Sequence, residues 1–390
     1  MRVVGLISGT STDGIDAAVA DLEISADVIE LRPLGSTTVP YEPALRDALA
    51  AVLPPATTTA EELCRLDTLI GRAFADAARL ALANLASGTA DLVASHGQTI
   101  YHWVDAGGRV LGTLQVGQPA WIAEATGLPV VADLRPRDVA SGGQGAPLAS
   151  VLDALLLADS DRIRAALNLG GIANVTIVAP DAEPMAFDTG PANALIDAAM
   201  THITNGAAAF DRDGAVAARG RVVDSLLDRL LADPYYEKPP PKSTGKEHFH
   251  LPYLLGHMAE TGAVAPDDLV ATVTALTART VADACRRHDV AEVVVSGGGV
   301  ANPVLMGMLT RDLGEVTITP IDDFGISADA KEAYLFSLLG FLTVHGLPGN
   351  VPSATGASHP AVLGCVLPGR SGFLCPPRPA AAPTRLHVLG

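Results

Sequence analysis

Cysteine is scarce in this chain of 390 residues, which has four cysteines and no CxxC pair among them. A disulfide framework, or a cysteine-based metal or redox site, would need suitably paired cysteines, so the sequence disfavours both. The four are Cys64, Cys285, Cys365 and Cys375.

Positive charge is scarce as well. Lys and Arg together number 26 against 43 Asp and Glu, which gives a formal net charge of −17. Such a protein repels the phosphates of nucleic acids, so we expect no nucleic-acid partner, and any phosphate site must work by local geometry. Lysine occurs only at Lys238, Lys242, Lys246 and Lys331.

Long apolar runs are also missing. No run reaches transmembrane length without interruption, and the chain opens directly on a predicted strand instead of a signal peptide. We therefore expect a soluble, cytoplasmic protein with no membrane partner.

What the chain does have is a large apolar content, 48% of its residues against 18% charged, which supports large buried cores. Its length suits two domains. Strands are predicted over 2–7, 16–22 and 28–39, followed by helices, and strands over 165–169 and 175–179 open a second half in a similar order. This alternation predicts α/β sheets covered by helices, and the repetition suggests a duplicated unit.

The loop between the first two predicted strands is unusually dense in polar groups. Its glycines and hydroxyl residues can present N–H and O–H groups to an anion, and its two carboxylates can hold a cation against that anion. The expected ligand is a phosphate with a magnesium ion, although a polar hairpin turn would use the same residue types. The residues are Gly9, Thr10, Ser11, Thr12, Asp13, Gly14, Ile15 and Asp16.

Two further glycine-rich segments follow apolar predicted strands. Each allows a ligand to approach the backbone closely, and the second also precedes a helix, whose N-terminus favours anions. Close packing of a strand on a helix is the alternative explanation for the second segment. The residues are Gly170, Gly171 and Asn174 in the first segment, and Gly297, Gly298 and Gly299 in the second.

Asp188 is the candidate catalytic base. It follows the apolar Phe187 and precedes Thr189, Gly190 and Pro191, a predicted turn into a helix. A carboxylate at such a strand end can face a cleft and accept a proton from a hydroxyl or from water. The alternative is a helix N-cap, which is a common use of aspartate before a helix.

Together, these segments resemble the signature of the anhydro-N-acetylmuramic acid kinase family, whose first loop reads roughly SGTSxDGxD. The resemblance extends in order to about Gly369. Small departures affect only fine geometry. Thr12 stands where the family usually shows an aliphatic residue, Leu134 where it usually shows Phe, and Ala192 where Gly is common. The matching segments are SGTSTDGID (8–16), SHGQT (95–99), DLRPRDVA (133–140), GGQGAPL (142–148), NLGGIAN (168–174), FDTGPAN (187–193), PKSTGKE (241–247), SGGG (296–299) and GNVPS (349–353).

The resemblance implies the architecture shared by actin, sugar kinases and the heat-shock ATPases. In this α/β fold, two ribonuclease-H-like domains hold a nucleotide in a cleft between them. We expect domain I over 1–133 plus about 346–369, and domain II over 134–345. The Pro- and Ala-rich residues 370–390 are expected to form a disordered tail. The family also suggests a homodimer.

The resemblance further implies a reaction. With ATP and Mg²⁺, water would open the 1,6-anhydro bridge of 1,6-anhydro-N-acetylmuramic acid while O6 takes the γ-phosphoryl group. Asp188 matches the family's catalytic aspartate and would activate the water. A levoglucosan kinase is the nearest alternative. A non-catalytic nucleotide-binding switch of the same superfamily is the second alternative, and Asp188 counts against it.

Sugar-binding residues are expected after two other predicted strands. Gln98 and Thr99 offer hydrogen-bonding groups suited to sugar hydroxyls, and His96 serves either the sugar or the core. An arginine, Arg135 or Arg137, would pair with the sugar's lactyl carboxylate or with an interdomain carboxylate. The expected substrate-binding set is His96, Gln98, Thr99, Arg135, Arg137, Asp138, Gly190 and Asn193.

Asp13 and Glu332 are the candidate magnesium ligands. A carboxylate supplies the hard oxygen that Mg²⁺ prefers. Glu332 lies early in a predicted helix, where stabilisation of the helix dipole is an equal alternative.

Overall fold

The protein divides into two compact units in a computed structural model that describes residues 1–9, 12–158 and 161–390. The first unit comprises Met1–Asp159 and Phe324–Gly390, and the second comprises Ser160–Asp323. The second unit is therefore an insertion in the sequence of the first.

Thirteen strands and twelve α-helices lie within the described residues. The strands are β1 (Arg2–Ser8), β2 (Gly14–Ser25), β3 (Val28–Pro40), β4 (Leu92–Val104), β5 (Val110–Val116), β6 (Val130–Ala132), β7 (Arg164–Leu169), β8 (Ile172–Val178), β9 (Met185–Pro191), β10 (Glu292–Ser296), β11 (Thr317–Pro320), β12 (Cys365–Leu367) and β13 (Arg385–Val388). The helices are α1 (Pro43–Val52), α2 (Ala60–Leu85), α3 (Pro119–Thr126), α4 (Pro136–Ala140), α5 (Ala149–Leu157), α6 (Asn193–Ile203), α7 (Asp224–Leu231), α8 (Leu251–Thr261), α9 (Pro266–Arg287), α10 (Pro303–Leu313), α11 (Lys331–Val344) and α12 (Pro352–Thr355).

The first unit is built on one sheet in the order β12-β6-β4-β1-β2-β3-β13, with β5 paired to β4. Strands β1, β2 and β3 are antiparallel neighbours, and β4 runs parallel to β1. Helix α2 covers one face because Ile70 and Phe74 recur at helical spacing and pack in the same core as Val4 and Leu6. The capping box predicted by Thr59 and Glu62 is present, and it fixes the start of this helix.

The second unit is built on a sheet in the order β11-β10-β7-β8-β9. Strands β7, β8 and β9 are antiparallel neighbours, whereas β10 runs parallel to both β7 and β11. Apolar residues of β7, β8 and β10 pack with α9 and α10 in a common core. Helix α9 is buried along most of its length, which agrees with its long apolar face.

Both units therefore share one strand order. Three antiparallel strands in sequence are followed by two that add, parallel, beside the first: β3-β2-β1-β4-β6 in one unit and β9-β8-β7-β10-β11 in the other. This is the ribonuclease-H-like arrangement. The predicted α/β fold with two such units is confirmed.

The unit boundaries differ from those expected. Residues 134–159 and 324–345 belong to the first unit. For residues 324–345 the physical reason is α11, which lies directly on the first sheet: a side chain at Gly5 would collide with the backbone of Ala333 and with Ser337. The sequence shows the apolar character of α11 but not which sheet it covers.

The structure also corrects the expectation of a disordered tail. Strand β13 adds to the sheet edge parallel to β3, with Leu386 opposite Ile29. Leu386 is 2% exposed, so the tail contributes to the core of the first unit. No helix in the described part of the chain combines the length and apolarity needed to cross a membrane.

Candidate active site

Asp188 lies on β9, the last antiparallel strand of the second sheet. It pairs across the ladder with Asn174 of β8, which in turn pairs with Asn168 of β7. Residues directly opposite one another in a sheet project from the same face. Three polar side chains therefore form a row across the strands that carry the Gly170 turn.

The backbone around Asp188 is held on both sides. Its N–H donates to the carbonyl of Lys242 at 3.0 Å, and its own carbonyl accepts from the Tyr235 hydroxyl at 2.7 Å. The carboxylate Oδ2 accepts from the N–H of Thr244 at 2.9 Å. Helix α6 begins later and has Ala192 as its N-cap, so Asp188 is not a helix cap.

The pKa of Asp188 is raised to about 6, first by burial and further by the carboxylate of Glu247, while the hydrogen bond from Thr244 opposes the rise. A carboxylate with a pKa near neutrality is a stronger base than an exposed aspartate. Within the described residues, Oδ1 accepts no hydrogen bond, which leaves that oxygen available for a water or a hydroxyl.

The three glycines after β10 have different surroundings. Gly297 has φ 88° and abuts Asn168 and Leu169, and a side chain at Gly299 would collide with Leu169. A Cβ at Gly298, in contrast, would meet nothing within 4 Å. Packing therefore explains Gly297 and Gly299, whereas only Gly298 leaves open space beside its backbone.

That open space belongs to a cavity of about 460 Å³, which has the size of a small-molecule site. Gly298 and Asn193 line it, together with Asp197 and Phe210. Burial raises the pKa of Asp197 to about 6, opposed by the ammonium of Lys246. Sequence reasoning missed Asp197 and Phe210, although the spacing of Asn193 and Asp197 places them on one face of α6.

The Gly170 turn supports the start of α6. The carbonyl of Gly171 accepts from the N–H groups of Ala192 and Ala194, and the carbonyl of Gly170 accepts from the N–H of Asn193. Asn193 also donates through its side chain to the carbonyl of Leu169 at 3.2 Å. Gly190 is buried, with the Tyr236 ring on its open side.

In the first unit, the predicted phosphate loop joins β1 to β2. Thr10 and Ser11 lie outside the described residues. The carbonyl of Gly9 accepts from the N–H of Thr12, which has φ 53°, and the carbonyl of Asp13 accepts from Tyr41. Gly14, Ile15 and Asp16 belong to β2 itself, so they form the base of the loop.

Gln98 braces this loop from β4. It is 2% exposed, and its Oε1 accepts from the Ser8 hydroxyl at 2.5 Å while its Nε2 donates to the carbonyl of Gly9 at 3.3 Å. Its amide is thus used within the protein. The neighbouring Thr99 is half-buried and accepts through its hydroxyl from Gln115.

His96 and Arg135 form a buried pair. Arg135 Nε donates to His96 Nε2 at 2.8 Å, so the ring must carry its proton on Nδ1, which donates to the carbonyl of Gly97. Burial, then the Arg135 charge, lowers the pKa of His96 well below its usual range. Arg135 also donates to the carbonyl of Gly145, whereas Arg137 is exposed.

Asp138 is completely buried. Its Oδ1 accepts from the Asn350 amide and the Thr355 hydroxyl, and its Oδ2 accepts from the N–H of Gly145, each at 2.7 Å. The carboxylate therefore ties three segments of the first unit together and has no surface left for a ligand. Among the expected substrate-binding residues of this unit, His96, Gln98 and Asp138 all hold the protein's own backbone or side chains.

Asp16 and Glu332 interact as like charges. The pKa of Asp16 is raised first by burial, against a hydrogen bond from Thr38, and also by Asp13. The pKa of Glu332 is raised by the crowding of protein atoms around it, is lowered by Arg135, and is raised again by Asp16. Across residues 1–9, 12–158 and 161–390, no three His, Cys, Asp or Glu side chains meet as a ready-made metal site.

The fold and the site define a class first: a protein of two ribonuclease-H-like units, with an aspartate of near-neutral pKa on the edge strand of the second sheet. Comparison with known proteins identifies the family. The family model for anhydro-N-acetylmuramic acid kinase matches residues 1–369. Curated proteins of that name are 60% identical in Streptomyces coelicolor, over all of both chains, and 59% in Streptomyces avermitilis, over 99% of each. One from Rhodococcus erythropolis is 54% identical over 98% of each chain. The chain belongs to the anhydro-N-acetylmuramic acid kinase family.

Proposed function

We propose that this protein is an ATP-dependent kinase that opens the anhydro ring of 1,6-anhydro-N-acetylmuramic acid and phosphorylates O6. The products are N-acetylmuramic acid 6-phosphate and ADP. Membership of the family supports the substrate and the reaction. The observation that carries the mechanism is Asp188, a rigidly held carboxylate with a pKa of about 6 and a free Oδ1 among the described residues.

An anhydro sugar has no free 6-hydroxyl, so O6 can attack ATP only after the anhydro bridge is opened. A separate nucleophile must therefore attack C1. In the proposed reaction, Asp188 takes a proton from water, whose oxygen bonds to C1 as the C1–O6 bond breaks. The freed O6 bonds to the γ-phosphorus while the bond to the ADP oxygen breaks. Asp188 then releases its proton to solvent.

For the nucleotide, the second unit would contribute the cavity beside Gly298, together with Gly170, Gly171 and Asn174. The first unit would contribute the loop from Gly9 to Asp16. The open side of Gly298 and the size of its cavity support the first of these assignments. A nucleotide's phosphates need positioning and charge neutralisation more than covalent help.

Asp13 and Glu332 are proposed to hold Mg²⁺, with Asp16 beside them. The fit rests on charge: Asp13 raises the pKa of Asp16, Asp16 raises the pKa of Glu332, and a cation would relieve that repulsion. Bound there, the ion would supply charge neutralisation for the phosphates.

For the sugar, Thr99, Arg135 and Asn193 keep polar groups that a ligand can use. Arg135 spends Nε on His96 and Nη1 on Gly145, so Nη2 is the group left for the lactyl carboxylate among the described residues. The remaining proposed contacts, at Arg137 and Gly190, rest on the family resemblance alone.

The test is an ADP-release assay with 1,6-anhydro-N-acetylmuramic acid, with levoglucosan and without sugar. We expect turnover to require a sugar and to favour the first compound. Preference for levoglucosan would support the alternative kinase, and ATP hydrolysis without sugar would support the nucleotide-binding switch.

The family resemblance also leads us to propose a homodimer in the cytoplasm. Light scattering coupled to gel filtration tests the oligomer directly: a mass near twice 39.9 kDa is expected, and a monomer mass would contradict it.

A further inference from the structure

A second cavity of the second unit lies on the other face of β9 from Asp188. It measures about 440 Å³, and its lining includes Phe187 and Thr189 of β9 together with residues of α9. Side chains alternate between the two faces of a strand, so Phe187 and Thr189 project away from the face that carries Asp188. This reverse-side cavity is therefore distinct from the Gly298 cavity.

Its lining carries more cations than carboxylates. Lys238, Lys242 and Arg287 all line it, so two of the four lysines of a chain with net charge −17 occur at one cavity. Neither lysine forms an ion pair with a carboxylate among the described residues. Arg287 reaches Glu237 at only 3.4 Å, which is a weak, exposed contact.

Lys242 and Arg287 converge on one backbone oxygen. Lys242 Nζ and Arg287 Nη1 each donate to the carbonyl of Tyr236 at 3.1 Å. The two positive charges repel one another, and the pKa of Lys242 is lowered by burial first and by Arg287 second. An anion between them would relieve the repulsion and accept their remaining N–H donors.

The acidic residues of the lining do not provide that anion. Asp283 already pairs with Arg286, an arginine that does not line the cavity. Arg286 also donates to the carbonyl of Asp312. Glu237 is exposed and contacts Arg287 alone among the lining cations. The cavity thus keeps a positive balance that its own carboxylates leave unmatched.

We propose that the reverse-side cavity binds a small phosphate monoester, with the phosphate between Lys242 and Arg287. Three acceptor oxygens on a dianion suit a site with several N–H donors on separate cations. The volume exceeds what a phosphate alone needs and lies within the usual range of small-molecule sites. Phe187, Leu231 and Ala284 supply an apolar wall for the uncharged part of the ligand.

The segment that forms one wall also holds Asp188. Tyr235 donates to the carbonyl of Asp188, and the carbonyl of Lys242 accepts from the N–H of Asp188. A ligand in the cavity would therefore affect the position of Asp188 through this segment. It would be a regulator and not a reactant. This consequence alone rests on the proposed role of Asp188, whereas binding itself does not.

The test is calorimetric titration of the full chain, without nucleotide, using inorganic phosphate and glucose 6-phosphate as probes and glucose as the uncharged control. We expect both phosphates to bind and glucose not to bind. Arg287→Gln should weaken the binding of glucose 6-phosphate about tenfold or more, because a charge-assisted contact is lost. Arg311→Gln is the matched control: it makes the same charge change at an exposed position of α10, outside the lining, and should leave affinity within about twofold.

Absence of binding to the wild-type protein would overturn the proposal. Equal affinity of the wild type and Arg287→Gln would also overturn it, because the phosphate would then occupy another site. If Arg287→Gln is unfolded by circular dichroism, Lys242→Gln, which removes the other cation proposed to face the phosphate, provides the same comparison. Asp188→Asn should bind the probe normally even where turnover is lost, so failure of the reaction and failure of this site are told apart.

Discussion

At the scale of the residue, the proposed role of Asp188 as the catalytic base predicts a pH limit on activity. A base works only when it is deprotonated, and the pKa of Asp188 is about 6. We therefore expect kcat/KM, which reports the free enzyme, to be level at neutral pH and to fall about tenfold per pH unit below the pKa. A pH profile with the sugar substrate measures this limb.

Asp197 provides the control for that assignment, because its pKa is also raised to about 6. Asp197→Asn should keep the acidic limb, whereas Asp188→Asn should remove it along with most of the turnover. Loss of a general base typically costs about 10²–10⁴-fold in rate. Persistence of the limb in Asp188→Asn, or its loss in Asp197→Asn, would assign the limb to another group.

Asp188→Asn should also stabilise the fold at neutral pH. Because the pKa of Asp188 rises on folding from an ordinary value of 3.8 to about 6, the folded state binds more protons in that window. Stability therefore falls as pH rises through it, and the penalty is fully present above the folded pKa. Asp188→Asn removes a penalty of at most about 3 kcal/mol. Thermal melts should show a higher Tm than wild type at neutral pH and a smaller difference near pH 4; a lower Tm at neutral pH would contradict the desolvation argument.

Two adjacent glycines allow a matched test of the nucleotide cavity. Gly298→Val adds a side chain in open space, so it should block nucleotide binding and leave the melting temperature nearly unchanged. Gly299→Val would push against Leu169 and should instead destabilise the fold. Calorimetry with ATP and thermal melts separate the two effects. Unchanged ATP affinity in Gly298→Val would remove this cavity from the nucleotide site.

The sequence predicts which residue types are candidates for catalysis more readily than it predicts the surroundings of each side chain. The sequence indicates that Asp188 ends an apolar run, and the structure adds the burial that raises its pKa to about 6. The environment of Asp138 was not predictable, because its partners Asn350 and Thr355 lie more than two hundred residues away in the chain. Asp197 was missed for a similar reason: it becomes notable only beside Gly298 and Phe210, which lie on other elements.

At the scale of the element, β13 carries a prediction. Leu386 is almost fully buried, so Leu386→Ala should cost about 2–5 kcal/mol, the usual range for such a truncation in a core. His387→Ala, at the next and exposed position of the same strand, is the matched control and should cost much less. Denaturant unfolding of both variants measures the difference, and equal stabilities would mean that β13 does not dock in solution.

Local signals explain which elements were predictable. Helix α2 carries its own start signal in Thr59 and Glu62, and its apolar positions recur at helical spacing. Strand β13 has only four residues in a Pro- and Ala-rich segment, and it forms because β3 offers an open edge. The open edge depends on the tertiary structure, so a local sequence pattern does not predict that β13 pairs there.

At the scale of the whole molecule, the reaction predicts the origin of one oxygen. If water opens the anhydro bridge, reaction in ¹⁸O-water should place one heavy oxygen on the anomeric carbon and none in the transferred phosphoryl group. The product must be analysed quickly, because a free anomeric centre exchanges its oxygen slowly. Heavy oxygen in the phosphoryl group would instead indicate ATP hydrolysis, and preferential turnover of sugars with a free 6-hydroxyl would indicate an ordinary hexose kinase.

The division into units was the hardest property to predict. Repetition of the strand order was visible in the sequence, whereas the assignment of α5 and α11 was not. Both helices are strongly apolar, so each would suit either sheet. What decides is close approach, such as that of Gly5 to α11, which depends on backbone geometry and not on composition.

Because the second unit is inserted in the sequence of the first, the ribosome completes the second unit before it completes the first. Strands β7 to β11 and helices α6 to α10 form a continuous stretch, so the second unit can fold as it is synthesised. The first unit must wait, because α11 and β13 are translated after the whole of the second. Its apolar strand β1 emerges early and stays uncovered on the α11 side until then. A prematurely terminated chain would therefore expose that strand to chaperones and proteases, and it would carry the β1–β2 loop without the helix that supplies Glu332.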